Sequence, residues 1–554
     1  MQQLSTFNGG LKLDGHKKMS TGTAVCKTLL PAKLIIPVQQ HIGLEPDIIV
    51  NVGDKVLKGQ LIAKASADIS ANIHASSSGT VVAIDQQNVP HPSALPSTCI
   101  TIDTDGKDQW VDRHPLKADY KNKTCVELLT IIRDAGIVGL GGATFPTSAK
   151  LQGCDQKHID TLIINGAECE PYISCDDKLM QERADEVILG TQVLQHLLQS
   201  NQTIIAVEDN KPEAIASLNS TLSRLGISNI DIAVVPTRYP TGGEKQLIKV
   251  ITDKEVPTKG RPADIGILCQ NVATASSIYR AVYNDEPIIS RLVTVTGEAV
   301  NKPANVEALI GTPMSSLIEQ CGGYKNNISG LIMGGPMMGF ALPSDELPIT
   351  KACNCLLTQS AKQLEPLSSK ACIRCGECAD VCPANLLPQQ LYWYCSSKNF
   401  DRAQDLHLFD CIECGCCSYV CPSHIPLVQY YRFAKTEIWA QEKDKAKSDI
   451  ARQRHEFREA RIAREKAERE EKLRQKKEML AKKKAAEEGK ADPVDPKKAA
   501  IEAALARVKA KKEANEVEPK NTDNLTVQQQ EKIHQADERR KQSDKPSTTE
   551  DDKQ

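Results

Sequence analysis

The chain has 554 residues, which is long enough for several domains. Its 69 lysines and arginines nearly balance 71 aspartates and glutamates, and the formal net charge of -2 gives no indication of nucleic-acid binding. Twenty cysteines in so large a chain, with no apolar signal-peptide core near the N-terminus, indicate reduced thiols in the cytosolic compartment. No stretch approaches 18 consecutive apolar residues, so we expect no spanning helix, and membrane association only through partners or surface contact.

After an N-terminal extension of residues 1–32, residues 33–105 are predicted to form a small all-β domain. Two runs rich in β-branched residues, Val50–Ala63 and Ile73–Ile84, contain Gly-Asp and Ser-Gly turns. They resemble the barrel-sandwich of biotinyl and lipoyl carrier domains. In those carriers a lysine at the hairpin tip bears the cofactor, and here Asp68 occupies the corresponding place. We therefore expect a packing or docking domain rather than a swinging arm.

The next segment, residues 120–285, is predicted to be an α/β domain that begins with a glycine-rich turn. Four glycines fall between Gly136 and Gly142, and such a turn lets backbone N–H groups approach a phosphate closely. Lys150 would add a positive charge toward the same anion. A purely structural turn explains these glycines equally well, since their spacing does not match the dinucleotide-binding fingerprint.

Polar residues follow a buried strand that is predicted within Thr161–Tyr172. Asn165, Glu168 and Glu170 come at its carboxyl end, where open α/β sheets bind ligands. Loop solvation or turn capping accounts for them equally well when they are taken alone.

Helical and strand patterns then alternate, as expected for an open α/β sheet. The predicted helices are Gln181–Leu198 and Pro212–Leu225, and the predicted strands are Thr203–Val207 and Ile230–Val235.

Two later helices begin with residues suited to anion binding. Thr241-Gly242-Gly243 precedes an apolar-periodic helix, and a glycine-rich helix start binds anions through its free N–H groups and its dipole. Asn271 and Thr274 lie near the start of the following helix.

Residues 290–342 are predicted to form a small domain of two strands followed by a helix starting near Thr312, which we interpret as a spacer and docking unit. The glycine-rich run Gly334–Gly339 is interpreted as a turn before a linker, with a nucleotide loop as the weaker alternative. Cys353 and Cys355 are expected to be buried thiols.

Residues 360–432 contain two C-x₂-C-x₂-C-x₃-C-P runs, the spacing by which bacterial ferredoxins hold [4Fe–4S] clusters. The first three cysteines of a run bind one cluster, and the fourth normally binds the other. The predicted ligands are Cys372, Cys375, Cys378 and Cys421 for one cluster, and Cys411, Cys414, Cys417 and Cys382 for the second. Zinc is the alternative, but its sites use two pairs of ligands rather than two complete runs. Cys416 does not fit the spacing and is expected to be a bystander.

Residues 433–554 form a charged tail. Charged residues and alanine dominate residues 435–490, where opposite charges at i,i+4 can sustain a solvated helix. We expect a break at Asp492–Pro496, a short helix at Ala499–Lys512, and a remainder too polar to fold alone. Basic clusters could contact nucleic acid or anionic lipid, and the interspersed acids favour a solvated linker.

Taken together, these segments resemble a known family. The stretches around Gly139–Lys150, Asn165–Pro171, Thr241–Lys245 and Cys269–Thr274 occur in the same order as in the NADH-binding flavoprotein subunit of respiratory complex I. The whole chain more closely resembles the C subunit of the Rnf (Rsx) electron-transport complex. The resemblance implies a multidomain α/β fold: a barrel-sandwich, a complex-I-flavoprotein-like core, an SLBB-type β-grasp domain, a double-cubane ferredoxin domain and a charged tail.

The resemblance also implies roles for individual residues. It places one set of residues around FMN and its phosphate: Gly139, Gly141, Gly142, Ala143, Lys150, Asn165, Glu168, Gly243, Glu244, Asn271 and Thr274. Glu170 would face the nicotinamide ribose of NADH. Leu140 and Ala167 depart from the complex I pattern, which has arginine and aspartate there, so two polar contacts are lost.

NADH gives up two electrons together as hydride, whereas a [4Fe–4S] cluster accepts one electron at a time. FMN can do both, because it can hold a one-electron intermediate. We therefore expect electrons to pass from NADH through FMN and two [4Fe–4S] clusters to another protein. The resemblance implies a peripheral subunit on the cytoplasmic face of the bacterial inner membrane. Its partners would be other subunits of an ion-translocating (Na⁺ or H⁺) complex, including a ferredoxin-like subunit. The alternatives are a soluble NAD-linked flavin and iron–sulfur oxidoreductase, and a non-catalytic ferredoxin scaffold.

Overall fold

The computed structural model describes residues 4–152, 158–325, 328–360, 368–487, 501 and 504–507. One compact unit covers Met1–Lys445, and a second covers Ala446–Gln554. Within the described residues, none of the helices combines the length and the hydropathy that crossing a bilayer requires. The domains of the first unit follow one another in the predicted order, so the predicted fold class is confirmed.

The N-terminal part is an extension followed by a barrel-sandwich. The extension contains helix α1 (Lys18–Thr21) and strand β1 (Cys26–Lys27). The barrel-sandwich strands are β2 (Lys33–Pro37), β3 (Asp47–Ile48), β4 (Lys55–Val56), β5 (Leu61–Lys64), β6 (Ile73–His74), β7 (Gly79–Asn88) and β8 (Pro96–Thr104). They form two sheets, in the orders β2-β8-β7-β4 and β3-β5-β6, around one apolar core. Asp68 lies exposed in the connection between β5 and β6.

The second domain is an open parallel sheet with helices on both faces. Its elements are α2 (Cys125–Asp134), α3 (Thr147–Gln152), β9 (Thr161–Gly166), α4 (Cys175–Glu182), α5 (Ala184–Leu198), β10 (Gln202–Glu208), α6 (Pro212–Leu225), β11 (Asp231–Val235), α7 (Glu244–Thr252), β12 (Ile267–Asn271) and α8 (Val272–Asn284). The strand order is β11-β10-β9-β12. Alternation along β9 sends Leu162 and Ile164 to the α5/α8 face and Ile163 to the α7 face.

One predicted helix of this domain was wrong in its extent. The segment Gln181–Leu198 was predicted as a single helix, but α4 ends at Glu182 and α5 begins at Ala184. Arg183 separates them with φ -135° and ψ 40°, and its guanidinium pairs with Glu307 at 2.7 Å. The partner lies in another domain, so local periodicity could not reveal this break.

The carboxyl ends of the four parallel strands meet at one edge of the sheet. The chain moves outward from β9 to β10 and β11, then returns to place β12 on the other side of β9. Asn165 and Asn271 are therefore paired neighbours at the ends of β9 and β12. This edge, beside a topological switch point, is where doubly wound sheets bind ligands.

The third domain is a six-stranded mixed sheet with one helix. It contains β13 (Ser290–Gly297), β14 (Ala304–Leu309), α9 (Met314–Gln320), β15 (Ile328–Met333), β16 (Phe340–Ala341) and β17 (Cys355–Ser360). The sheet order is β1-β14-β13-β17-β15-β16, so the N-terminal extension supplies an edge strand. Cys353 and Cys355 are fully buried in this domain, as predicted.

The cysteine runs lie in a small helical domain. Its helices are α10 (Glu377–Asp380), α11 (Pro388–Ser396), α12 (Phe400–Asp405), α13 (Cys416–Tyr419) and α14 (Leu427–Glu487). The first turns of α14 pack into the domain through Tyr431, Ala434 and Ile438. From residue 451 onward, the described side chains of α14 are exposed, as predicted for a solvated charged helix. The predicted break at Asp492–Pro496 lies outside the described residues, as does most of the predicted helix Ala499–Lys512.

Candidate functional site

Two cavities in the helical domain are each lined by cysteines from both runs. The first cysteine cavity is bordered by Cys372, Cys375, Cys378 and Cys421. The second cysteine cavity is bordered by Cys382, Cys411, Cys414, Cys416 and Cys417. The fourth cysteine of each run thus lies with the first three of the other run, which is the predicted grouping. All cysteines in the described part of the chain are free thiols.

The two C-x₂-C loops share one backbone conformation. Arg374 and Gly376 in the first loop, and Glu413 and Gly415 in the second, all have φ between 58° and 91°. Such turns bring three cysteine side chains of a run to one side of the loop. Helix α14 holds the second loop in place, because Lys435 donates to the Cys411 carbonyl and the Glu413 carboxylate, both at 2.7 Å.

Cys416 lies in the wall of the second cysteine cavity, although the spacing makes it a bystander. It is fully buried and belongs to an apolar cluster with Tyr239 and Cys414. Geometry alone therefore offers five thiols around this cavity, and the repeat of the run selects Cys417 over Cys416.

The glycine-rich turn lies at the carboxyl edge of the parallel sheet. Gly139 donates to the Phe145 carbonyl at 2.9 Å and so closes a tight loop whose tip, including Ala143, is exposed. A Cβ on Gly141 would lie 3.3 Å from the Asn271 Cβ, whereas one on Gly142 would meet nothing within 4 Å. The loop therefore packs on the end of β12 and leaves open space on its other side.

Two residues at the start of α8 anchor this loop. Thr274 is fully buried and accepts a hydrogen bond from the Leu140 amide at 3.0 Å. Asn271 caps α8 by accepting from the Ala273 amide at 2.8 Å, and its side-chain amide donates to Asp176 at 2.6 Å. The Leu140 side chain packs in an apolar cluster with Ala71, which gives this departure a packing role.

The glycine-rich loop, the ends of β9 and β12 and the start of α7 together border a space that we call the cradle. Asn165 and Lys150 connect the sheet edge to the start of α7. Asn165 donates to the Gly242 carbonyl at 2.9 Å. Lys150 donates to the Cys269 carbonyl at 2.6 Å and pairs with Glu244 at 2.8 Å. Gly243 is the N-cap of α7, so free N–H groups of that helix lie beside a lysine.

Glu168 is a buried carboxylate above the start of α4. It accepts from the amides of Asp176 at 2.6 Å and Asp177 at 3.2 Å. Burial raises its pKa to about 8, while the nearby Lys17 acts to lower it. Burial likewise raises the pKa of Asp176. The structure thus places Glu168 where it stabilises the α4 N-terminus, within the segment that the resemblance assigns to the flavin.

Glu170 contacts the run Gly334–Gly339, for which the sequence favoured a turn before a linker over a nucleotide loop. Its carboxylate accepts from the amides of Met337 at 2.7 Å and Met338 at 3.0 Å. A Cβ on Gly335 would lie 2.2 Å from the Glu170 Cγ, so only glycine allows this approach. The turn therefore has a specific partner in the core domain.

Lys17 of the N-terminal extension organises the loop that carries both glutamates. Its ammonium donates to the carbonyls of Glu168 at 2.7 Å and Glu170 at 3.2 Å, and also to that of Ile173. The side chain of Lys17 is only 12% exposed and lies 3.7 Å from the Glu168 carboxylate. No sequence signal singled out Lys17, because its partners lie about 150 residues further along the chain.

Tyr239 joins the core domain to the second cysteine cavity. Its hydroxyl is buried and donates to the Cys414 carbonyl at 2.6 Å. Burial and the neighbouring Glu170 raise the pKa of Tyr239, so the hydroxyl keeps its proton. Near this tyrosine, Gly242 donates to the Cys169 Sγ at 3.2 Å. The loop that carries Glu168 and Glu170, Tyr239 and the second cysteine cavity therefore form one continuous set of contacts. The sequence did not predict these contacts.

Family models match four consecutive parts of the chain. They are the RnfC barrel sandwich hybrid domain at residues 5–107, the Nuo51 FMN-binding domain at 132–280, the SLBB domain at 292–341 and the 4Fe-4S dicluster domain at 371–425.

Relatives named as the C subunit of an ion-translocating oxidoreductase complex match most of the chain. The one from Pectobacterium atrosepticum is 47% identical over 92% of this chain and 71% of its own length. The one from Serratia proteamaculans is 47% identical over 91% of this chain and 69% of its own length. The chain belongs to this family, the RnfC family. The predicted resemblance to the Rnf complex is therefore confirmed.

This member of the RnfC family spans less than two thirds of the length of another relative. It covers 62% of the protein from Pectobacterium carotovorum, to which it is 50% identical over 465 residues. Among solved structures, the NAD⁺-reducing [NiFe]-hydrogenase in the H₂-reduced state aligns with 60% of this chain and 64% of its own, with TM-score 0.43 and 17% identity. So distant a likeness has no bearing on function.

The residues of this RnfC family member fit the cofactors that its matched domains imply. Two groups of free thiols, each drawn from both runs, provide the donors that iron–sulfur clusters require. For FMN, the cradle offers three features: open space next to the Cα of Gly142, the N-terminus of α7 at Gly243, and the positive charge of Lys150. The family models support a flavin and iron–sulfur clusters as the cofactors.

Proposed function

We propose that this chain is the electron-input subunit of a membrane-bound complex that couples electron transfer between NADH and a ferredoxin-type carrier to ion translocation. The family and the order of its FMN-binding and dicluster domains support this function. The electron path is NADH, FMN, two [4Fe–4S] clusters and a partner subunit.

The main support for the proposal is the contact between the second cysteine cavity and the edge of the α/β domain at which the cradle lies. Tyr239 donates to the Cys414 carbonyl, and a Cβ on Gly415 would lie 2.8 Å from the Met337 carbonyl. Met337 in turn donates to Glu170. The cluster bound by Cys411, Cys414, Cys417 and Cys382 is therefore the first acceptor after the flavin.

The first cysteine cavity is the exit. Cys375 is exposed, and Ile373 and Leu387 in the lining of this cavity are 67% and 47% exposed. Apolar side chains around an exposed cluster ligand suit a transient contact with another electron carrier. A ferredoxin-like subunit of the same complex is the proposed partner at this face, and the chain binds as a peripheral subunit on the cytoplasmic side of the inner membrane.

Within the cradle, the residues of this chain would bind FMN and position it relative to NADH. FMN, when bound, supplies the conversion of a two-electron hydride into single electrons. Lys150 and the N-terminus of α7 would hold its phosphate, and the glycine loop would let backbone lie against it. Asn165, Asn271 and Thr274 fix the loops around the cofactor. Glu170 would hydrogen-bond the nicotinamide ribose, and Lys17 fixes the loop on which Glu170 stands.

The order of the two clusters can be tested with matched cysteine variants. We expect the anaerobically reconstituted full chain to hold about eight iron atoms and one FMN. In Cys375→Ala, NADH should still reduce the remaining cluster, because it adjoins the flavin. In Cys414→Ala, the remaining cluster should be reduced by dithionite but at least about tenfold more slowly by NADH. Electron paramagnetic resonance after rapid freezing measures both.

Two results would contradict the proposal. Equal reduction by NADH in both variants would overturn the order of the clusters. Stoichiometric zinc, or a wild-type protein that binds no flavin, would overturn the electron-input function itself.

A further inference from the structure

One stretch of α14 carries a larger excess of positive charge than the part of the helix that precedes it. Residues 472–484 contain seven lysines and arginines but one carboxylate, Glu478. The preceding stretch, 456–471, mixes both signs evenly along its length. The whole stretch is helical, and all its side chains are exposed. The excess charge is therefore presented to the surroundings rather than buried.

Five of the seven cations of this stretch share one face with its two leucines. An α-helix turns about 100° per residue, so Leu473 and Leu480 lie within about 20° of each other. Lys477 and Lys484 flank them on one side, and Lys476, Lys483 and Lys472 flank them on the other. We call these seven residues the basic face. Both leucines are 53% exposed, which leaves an apolar stripe between two rows of lysines.

The opposite side of the helix has a different character. Helical geometry places Arg474, Glu478 and Lys482 there, together with Glu471 of the preceding turn. Arg474 and Glu478 form an i,i+4 ion pair at 3.6 Å, so part of the positive charge on that side is neutralised. The stretch is thus amphipathic in charge as well as in hydropathy.

We propose that the basic face binds the anionic surface of a phospholipid bilayer, with the two leucines entering the boundary between headgroups and acyl chains. Clusters of lysines on an amphipathic helix are the physical signature of binding to anionic headgroups. The leucine stripe distinguishes a bilayer from nucleic acid, whose phosphates offer nothing to an apolar side chain. A second copy of the helix would bring like charges together.

This inference rests on one part of the proposed function, namely that the protein lies at a membrane. It adds that the chain itself contacts the lipid. The test involves no electron transfer, so either proposal can fail without the other.

The experiment measures co-sedimentation of the anaerobically purified full chain with two kinds of vesicle. One kind contains phosphatidylcholine with phosphatidylglycerol, and the other contains phosphatidylcholine alone. Wild type should partition onto the anionic vesicles, and added salt should weaken that binding. The double variant Lys476→Gln with Lys483→Gln should lower the partition about 25-fold, at roughly fivefold per lysine.

The matched control removes the same charge from the other side of the helix. Arg474→Gln with Lys482→Gln should lower the partition by less than about fivefold, because those side chains point away from the surface. Leu473→Ser with Leu480→Ser should also weaken vesicle binding, without changing binding to duplex DNA. Iron content reports that each variant is folded.

Three outcomes would overturn the proposal. The first is equal binding of wild type to both kinds of vesicle. The second is an equal loss in the two charge variants, which would mean that net charge and not a face is responsible. The third is unchanged vesicle binding in the leucine variant together with tight binding to duplex DNA, which would make nucleic acid the ligand.

Discussion

At the level of single residues, the cradle is held by contacts that join positions far apart in sequence. Lys17 crosses to the loop at Glu168 and Glu170, and Thr274 accepts from Leu140. In each case a buried polar group finds its partner in another segment, as burial of such groups requires. The residue types at the sheet edge were predicted from the sequence, but their partners depend on which segments the fold brings together.

The glycine at position 141 gives a direct test of the flavin cradle. A Cβ there already lies 3.3 Å from Asn271, so Gly141→Val would force a branched side chain between the loop and the end of β12. Overpacking of this kind costs about 1–3 kcal/mol, and we expect FMN affinity to fall about tenfold or more. Fluorescence of flavin released from the purified protein measures this.

Two internal controls accompany that variant. Gly22→Val adds the same side chain where no atom lies within 4 Å of the new Cβ, and it should keep its FMN. Iron content should be unchanged in both variants, because the cysteines belong to another segment. Normal FMN binding by Gly141→Val would show that the loop does not cradle the flavin.

At the level of elements, local pattern was sufficient where an element depends on its own residues. Helix α6 has the predicted bounds, Pro212–Leu225, and β10 covers the predicted strand Thr203–Val207 with one residue more at each end. Pattern failed at Arg183, where an ion pair to Glu307 coincides with the break. The pattern predicted a turn at Gly334–Gly339 but not its contact with Glu170, because that residue lies in another domain.

Lys351, just before β17, is a buried cation at a junction of domains. Its ammonium donates to the carbonyls of Asn72 in the barrel-sandwich at 2.9 Å and Gly136 in the core at 2.8 Å. Burial lowers the pKa of Lys351 to about 7. The neighbouring His41 and His74 are buried, and their pKa values are lowered to about 4 and about 3 by burial and then by the charge of Lys351.

This depressed pKa predicts a pH dependence of stability. Between about pH 7 and the ordinary lysine pKa, the unfolded chain binds a proton at Lys351 that the folded chain does not. The free energy of unfolding should therefore rise with pH in that window, by at most about 1.4 kcal/mol per pH unit. The histidines titrate below the window and do not contribute.

Replacing Lys351 isolates that contribution. Lys351→Met should remove the slope, so the melting temperature of the variant relative to wild type should fall steadily from pH 7 to about pH 9.5. Lys254→Met, which changes an exposed lysine, is the matched control and should track wild type. A constant difference between Lys351→Met and wild type across the range would contradict a neutral buried amine.

At the level of the whole first unit, the helical domain contacts both the N-terminal extension and the α/β domain. Gly10 donates to the Val381 carbonyl at 2.9 Å, and a Cβ on Gly9 would lie 2.5 Å from the Val381 backbone. Lys245 lies 3.9 Å from Asp410. Val381 and Asp410 directly precede Cys382 and Cys411 of the second cysteine cavity, whereas Cys375 of the first cavity is exposed. The domain order was readable from the sequence, whereas which cavity faces the core was not, because both runs have the same spacing.

Removing the Tyr239 hydroxyl should change the reduction potential of one cluster and leave that of the other unchanged. Its hydroxyl donates to the carbonyl of Cys414, and hydrogen bonds around the ligands are among the factors that set a cluster's reduction potential. Tyr239→Phe keeps the ring in its buried position and removes only that donor. We expect full iron content, a shifted potential for the cluster of the second cavity, and an unchanged potential for the other.

Potentiometric titration followed by electron paramagnetic resonance distinguishes these outcomes. The Cys375→Ala background leaves only the cluster of the second cavity, so its shift can be assigned directly. Tyr120→Phe changes another buried tyrosine, whose ring packs against His196 of α5 and Tyr283 of α8, and it should shift neither potential. If Tyr239→Phe leaves both potentials unchanged, the hydroxyl only supports packing. If it shifts the potential of the cluster in the first cysteine cavity instead, the second cavity is not the one that the α/β domain controls.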